Sequence, residues 1–255
     1  MSATSKCLSV MVLTEDSGSD AYDTVLSLVK EMFKQIDPYV QARHIGFTPL
    51  ADAKARRAMH GNLWKSTNPM DEPNKRLLIR SIINELLKEE GFVLYHIDGD
   101  CSWSAVDSSI NAQQFRKDMI PPVKAGLASK LGSEAGEKRM ARFHLLVPCY
   151  SIEAWLFQNT REAKQLCATV GCKSCLPKIV DWENNRASID EVDQPKQALC
   201  LRDKYNAHLA SAGYPAKEAL DANASFAGTV MRLLECEPLT TALAKTHALP
   251  ASTAH

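Results

Sequence analysis

Two aspartates separated by one glycine, Asp98-Gly99-Asp100, follow directly on the apolar run Phe92 to Ile97. Carboxylates that close repel each other unless a positive charge lies between them. A hard divalent cation, with its preference for oxygen ligands, is the usual remedy. If the backbone stays extended, residues two apart share a face, and the glycine permits a tight turn between them. The same pair would also serve as a turn or a helix cap. Acids stand in matching positions elsewhere. Glu15 and Asp16 close the run Leu8 to Thr14, and Glu153 comes shortly after Phe143 to Tyr150.

These acids need elements that bring them together. Phe92–Ile97 and Leu8–Thr14 are short, apolar and rich in β-formers, which predicts strands buried on both faces of a parallel sheet. Tyr39–Phe47 alternates enough to be a strand nearer the edge, and Phe143–Tyr150 is a fourth strand. Apolar residues at helical spacing predict helices over residues 21–35, with Val25, Leu28, Val29, Met32 and Phe33, and over 75–90, capped by Asn74 and closed by Gly91. Asp107, Ser108 and Ser109 offer caps for a helix from Ile110 to Met119, broken at Pro121-Pro122 and resumed to Lys130. Gly132 to Gly136 reads as a flexible turn. Ser151 onward opens a helix reaching Ala168, with Glu153 near its start. The order strand, acid, helix, strand, helix, strand, D-x-D, helix, strand, Glu, helix implies a mainly parallel sheet with right-handed crossovers. All three acidic positions then fall on one rim, where open α/β sheets place their ligands.

Composition sets outer bounds. The 255 residues are 45% apolar, enough for a substantial core, and carry a formal net charge of zero. No global basic field draws such a chain onto nucleic acid, so binding rests on a local patch or on a partner. Candidate patches are Lys54, Arg56 and Arg57 beside His60 and Trp64-Lys65, then Lys138, Arg139 and Arg142, then Lys196, Arg202, Lys204 and His208. For the first, a solvated helix face is the commoner meaning of such a pattern, and the last reads as readily that way. His96 and His44 belong either to the core or to a site. The polar start Met1–Lys6 lacks a signal-peptide pattern and no apolar run reaches membrane-spanning length, from which a cytoplasmic protein without membrane contact is expected.

The segment from Gly171 changes character. Cys167, Cys172 and Cys175 have four and two residues between them, and Cys200 lies farther on. Such spacing can hold a structural zinc or an iron–sulfur cluster, or the four can be reduced thiols packed in a small subdomain. Residues 194–210 and 216–236 read as two helices, and the stretch after Pro238 as a frayed tail. The expected division is an α/β domain over 1–170, a helical C-terminal subdomain over 171–240 and a flexible tail over 241–255.

Taken together, the motifs resemble the Toprim family, the metal-binding fold of topoisomerases, DnaG-type primases and the overcoming-lysogenization-defect nucleases. Glu15 with Gly18 and Asp20 is similar to the family's opening acid motif, although the glycine is displaced from its usual place beside the glutamate. Asp98-Gly99-Asp100 resembles its D-x-D. Pro148 to Phe157, around Glu153, is similar to small stand-alone bacterial Toprim-like proteins associated with phage defence. Gln194-Pro195-Lys196 and Asp203-Lys204-Tyr205 loosely resemble a lysine-bearing region of the same group. The resemblance implies a Toprim-like, Rossmann-like fold. It also implies a nuclease site with Glu15, Asp98, Asp100 and Glu153 as ligands to one or two Mg²⁺ or Mn²⁺ ions, and Lys204 stabilising the phosphate undergoing attack. A nucleic acid is then the substrate and an ATPase a possible partner. A competing expectation is a catalytically silent Toprim-fold partner or regulator of an ATPase or toxin. An aspartate-nucleophile phosphatase also opens with D-x-D, but normally after its first strand. No G-x-G-x-x-G follows any strand, which argues against a dinucleotide-binding site.

Overall fold

Four parallel strands form the sheet of the computed structural model, which describes residues 6–60, 62–104 and 109–247. β1 (Leu8–Thr14) feeds α1 (Ala21–Ile36), whose face of Val25, Leu28, Val29, Met32 and Phe33 is buried. β2 (Ile45–Thr48) is shorter than expected, because Ala42–His44 coils into a single 3-10 turn before it. α2 (Ala53–His60) and α3 (Glu72–Leu87) follow. Pro73 sits in the first turn of α3, where its missing N–H is no loss, so this helix starts ahead of Asn74. Gly91 opens β3 (Gly91–His96) rather than closing α3, and every residue of β3 is buried.

α4 (Ile110–Asp118) is capped by Ser109, whose side chain accepts from the Ala112 N–H. Asp107 and Ser108, expected to share that role, lie outside the described residues, as do Gly61, residues 1–5 and residues 248–255. α5 (Ile120–Leu131) takes both prolines into its first turn. The expected flexible turn is instead α6 (Ser133–Met140), which lies so close to α5 that a Cβ on Gly136 would stand 2.9 Å from the Ala128 nitrogen. β4 (Phe143–Leu146) ends the sheet.

The sheet order is β2-β1-β3-β4. The crossover from β1 out to β2 runs over one face, where α1 packs with Val10, Val12, Phe92 and Leu94. The crossovers back to β3 and on to β4 use the other face, where residues of α2 to α5 pack with Leu13, Val93 and Tyr95. Reversing direction while changing face is what right-handed connections require. It also makes the β1/β3 boundary a topological switch point, where the chain leaves the two strand ends toward opposite faces and opens a crevice.

The rest of the chain is helical: α7 (Glu153–Leu156), α8 (Thr160–Thr169), α9 (Leu176–Asn184), α10 (Pro195–Ala198), α11 (Asn206–Ser211), α12 (Ala216–Ala222), α13 (Ala224–Leu234) and α14 (Glu237–Lys245). Two expected long helices are broken by asparagines. Asn159 starts α8 and Asn223 starts α13, each accepting with its side chain from an amide three residues on. The expected helix over 194–210 is instead α10, a 3-10 turn at Asp203–Tyr205 and α11. α14 carries regular structure to Lys245, into the stretch expected to fray. These helices share one buried cluster with α1, β1 and β3, including Trp155, Phe157, Phe226 and Leu239. The region after 170 therefore completes the core on the α1 face of the sheet. Among the described residues, no helix is long and apolar enough to cross a membrane.

Candidate functional site

The crevice at the switch point is where the acids meet. Glu15 follows β1 and is 8% exposed. Its Oε1 accepts the backbone N–H of Asp98 at 2.6 Å, while its Oε2 is buried without a hydrogen-bond partner. Asp98 follows β3 and its Oδ1 accepts the N–H of Ile152 at 3.2 Å, joining the ends of β1 and β3 to the start of α7. Glu153, 5% exposed, takes hydrogen bonds from Ser151 Oγ at 2.7 Å and Asn206 Nδ2 at 3.2 Å. Asp100 is held from the other side by Asn111, whose Nδ2 reaches both Asp100 Oδ2 at 3.0 Å and the Asp98 carbonyl at 2.8 Å.

The D-x-D does not stay extended. Asp100 has φ 52° and Tyr150 has φ 55°, both in the left-handed region that non-glycine residues avoid. The two residues clasp through the backbone: Asp100 N–H donates to Tyr150 O at 2.9 Å, and Tyr150 N–H donates to Cys101 O at 2.9 Å. Gly99 serves close approach, since a Cβ there would stand 2.5 Å from the Pro148 carbonyl oxygen. The loop before α7 is thus pressed onto the D-x-D turn. It is anchored from behind by buried Ser225, whose hydroxyl accepts the Cys149 N–H at 3.1 Å and the Trp155 indole N–H at 2.7 Å. Strained backbone of this kind persists where surrounding structure over-determines it.

Asp98 is the common electrostatic neighbour. Burial raises Glu15 to about 7, with the Asp98 carboxylate next in effect. Burial also raises Asp16, Asp100 and Glu153, and Asp98 adds to each. His96, fully buried, lies beneath them. Its Nδ1 pairs with Thr14 Oγ1 at 3.0 Å, and its Nε2 faces Asp98 Oδ1 at 3.5 Å, an ion contact longer than a hydrogen bond should be. Burial pulls the ring down, but Asp98, Asp16 and Glu15 outweigh it and push His96 up to about 9. His96 is therefore both core and site. His44 is core only, buried at the start of β2, where its Nε2 accepts from Arg43 Nε at 3.1 Å.

Two lysines flank the acids. Lys196 lines a narrow cleft with Asp16, Asp20, Glu153, Asp203 and Asn206, and its Nζ is 3.5 Å from Asp203. Burial pulls Lys196 down, yet Glu153, Asp203 and Asp16 together raise it. Lys65, on the far side, donates to Asn111 Oδ1 and pulls Asp100 down against burial. Lys204 is exposed with its Nζ over the Tyr205 ring at 4.9 Å, whereas Lys196 stands in the cleft. Trp64 is fully buried in edge-to-face contact with Phe115 and offers no ring for stacking beside Lys54, Arg56 and Arg57. Arg139 and Arg142 donate to the carbonyls of residues 88 and 89 at the end of α3, and His208 faces Glu162 at 3.2 Å.

Asn111 was not singled out by spacing, and Asp16 and Lys65, named beside the first strand and in a basic patch, were not assigned to the site, because these roles depend on contacts between distant segments. Among the described residues, the set of three metal-ligating atoms lying within 4.8 Å of one another is that of Cys167, Cys175 and Cys200. The rim acids are spread more widely than that.

Fold and site define an α/β protein with an all-parallel four-stranded sheet and an acid-rich crevice at its switch point. Compared with protein-family models, with curated proteins and with solved structures, the chain matches none.

Proposed function

We propose that this chain is a divalent-metal-dependent phosphodiesterase acting on nucleic acid, with Mg²⁺ or Mn²⁺ held by Glu15, Asp98, Asp100 and Glu153. The observation that carries this reading is the buried, unpartnered Oε2 of Glu15 beside Asp98. A buried acceptor left unpaired costs about 1–3 kcal/mol, more if charged. A cation ligated by oxygen would satisfy it and relieve the repulsion centred on Asp98. The donor set is all oxygen, which suits Mg²⁺ or Mn²⁺ rather than a soft metal.

When bound, such an ion supplies positive charge for a phosphodiester oxygen and lowers the pKa of a water. The chain's own groups do the rest. Glu15, near 7, can accept a proton at neutral pH. Lys196 and Lys65, on opposite sides of the crevice, are placed to hold phosphate oxygens as point charges. The positively charged His96 ring keeps Asp98 and Asp16 oriented toward one another. The Toprim resemblance implies the roles of Glu15, Asp98, Asp100 and Glu153 and a phosphate-holding lysine, first given to Lys204 and here to Lys196; the roles of Lys65 and His96 are additional. Action within a bacterial anti-phage system, alongside an ATPase, belongs to the same proposal and rests on the resemblance alone.

The test is incubation of the chain with plasmid, single-stranded DNA and total RNA in Mg²⁺ or Mn²⁺, beside an Asp98→Asn/Asp100→Asn double variant. Metal-dependent cleavage confined to the unaltered chain supports the proposal. Equal cleavage by both overturns it. A second reading, a catalytically silent partner of an ATPase or toxin, is favoured by the zero net charge. It is upheld if the rim binds no Mn²⁺ and nothing is cut.

A further inference from the structure

The four cysteines whose spacing stood out in the sequence come from three separate segments and meet on the α1 side of the molecule. Cys167 lies in the last turn of α8, Cys172 and Cys175 precede α9, and Cys200 follows α10. Three of the sulfurs, those of Cys167, Cys175 and Cys200, form one group, and Cys172 joins it through Cys175. Cys172 Sγ lies 3.2 Å from Cys175 Sγ, Cys200 Sγ lies 3.6 Å from Cys167 Sγ, and those of Cys167, Cys175 and Cys200 are mutually within 4.8 Å. Cys167 and Cys175 are buried, yet none of the four is in a disulfide.

From these positions we infer that Cys167, Cys172, Cys175 and Cys200 form a tetrathiolate site for one structural zinc ion. With Zn–S bonds of about 2.3 Å, a regular tetrahedron puts its sulfurs about 3.8 Å apart; the two closest separations, 3.2 and 3.6 Å, lie near that value, and Cys172 is the thiol that draws in to complete the set. An iron–sulfur cluster distributes its thiolates over more than one iron and needs a wider cage. Two further features suit thiolates bound to metal. The backbone N–H of Cys200 donates to Cys175 Sγ at 3.1 Å. Cys175 also occupies the N-cap position of the nine-residue helix α9, with no side-chain capping bond of its own, and a helix's amino end favours negative charge.

The placement gives the ion a purpose. Cys200 lies between Lys196 and the Asp203–Asn206 stretch, and this is the segment that lines the acidic cleft. Its regular structure is limited to one short helix and one 3-10 turn. A zinc clasp fixes that segment to the ends of α8 and α9, so Lys196 is held over the acids by metal–ligand bonds and not by a long helix. The inference stands apart from the proposed cleavage activity, because it concerns metal content and not turnover.

The test is elemental analysis of the untagged chain purified under reducing conditions without added metal, followed by exchange with Co²⁺. The expected result is one zinc per chain, released in step with modification of four thiols. The cobalt form should show the intense near-ultraviolet sulfur-to-metal absorption and the strong visible bands of a tetrahedral thiolate site. Cys172→Ser and Cys200→Ser should lose the zinc, while Cys7→Ser retains one equivalent. If the serine variants do not fold, the cobalt spectrum of the unaltered chain decides alone. Metal-free protein with four freely reacting thiols, disulfides in place of thiols, or a brown iron-containing chromophore would each overturn the inference.

Discussion

The backbone N–H of Asp98 donates to the Glu15 carboxylate at 2.6 Å, tying the carboxyl ends of two adjacent strands together through one acid. That bond fixes the Glu15 carboxylate at the Asp98 backbone, where the charge of Asp98 acts on it, in a crevice whose other charged groups are mostly negative. The arrangement is costly without a counter-charge and becomes favourable with one, and the expectations below follow from that imbalance.

Asp98→Asn keeps an oxygen for the Ile152 N–H while removing the charge that raises Glu15, Asp16, Asp100 and Glu153. Relief of repulsion among the acids is offset by loss of the contact that holds the buried His96 ring charged, so the variant should unfold close to the temperature of the unaltered chain and not above it. Metal-dependent cleavage should fall by about a hundredfold or more, since a ligand effect of several kcal/mol corresponds to at least that ratio. Thermal melts and rates on the same preparations check both.

Glu15 gives a pH dependence whose sign is fixed. Its pKa in the fold stands at about 7 against an ordinary 4.5, so the native state keeps a proton that the unfolded chain releases across that window. The metal-free protein should therefore lose stability from this group as pH rises from about 4.5 to 7. Metal needs the carboxylate, so Mn²⁺ affinity should rise through the same window and binding should release a proton. Denaturation and Mn²⁺ titrations across pH, compared with Glu15→Gln, test this. In the variant both trends should be weaker, the remainder coming from Asp16, Asp100 and Glu153, which are raised as well.

Lys196→Ala should reduce catalytic efficiency on nucleic acid by roughly tenfold or more, the order expected for a lost charge-assisted contact to phosphate. Lys204→Ala should change it by less than about twofold, since an exposed charge contributes little. Steady-state kinetics of the two variants, side by side, distinguish the lysine in the cleft from its neighbour over Tyr205.

How far the sequence carries can be read from individual residues. Leu8–Thr14 and the buried run ending in Asp98 were legible because a central parallel strand is continuously apolar, and an acid directly after it marks the carboxyl rim. Glu153 was legible only from its order in the chain, near the start of the helix after the fourth strand, since β4 is a half-buried edge strand that ends at Leu146. The breaks at Asn159 and Asn223 were missed, although Asn159-Thr-Arg-Glu162 carries a capping pattern. Lys196 lay within a recognised stretch, but its preference over Lys204 depends on how α10 and the 3-10 turn lie across the cleft. Asn111 and Ser225 had no local signal at all. Each acts on residues far along the chain, and only the packed structure brings them together.

Ser225 also gives a stability expectation. Ser225→Ala leaves the Cys149 N–H and the Trp155 indole N–H buried without an acceptor. At about 1–3 kcal/mol for each such group, stability should fall by roughly 2–6 kcal/mol. Urea denaturation measures it, and an unchanged midpoint would mean that the loop before α7 is not anchored there.

The most direct measurement is a calorimetric titration of Mn²⁺ into the purified chain and into Asp98→Asn at pH 8. One or two ions should bind per unaltered chain at the acid crevice, with none binding to the variant. Absence of binding by the unaltered chain, or the same stoichiometry and affinity in both proteins, would contradict the account.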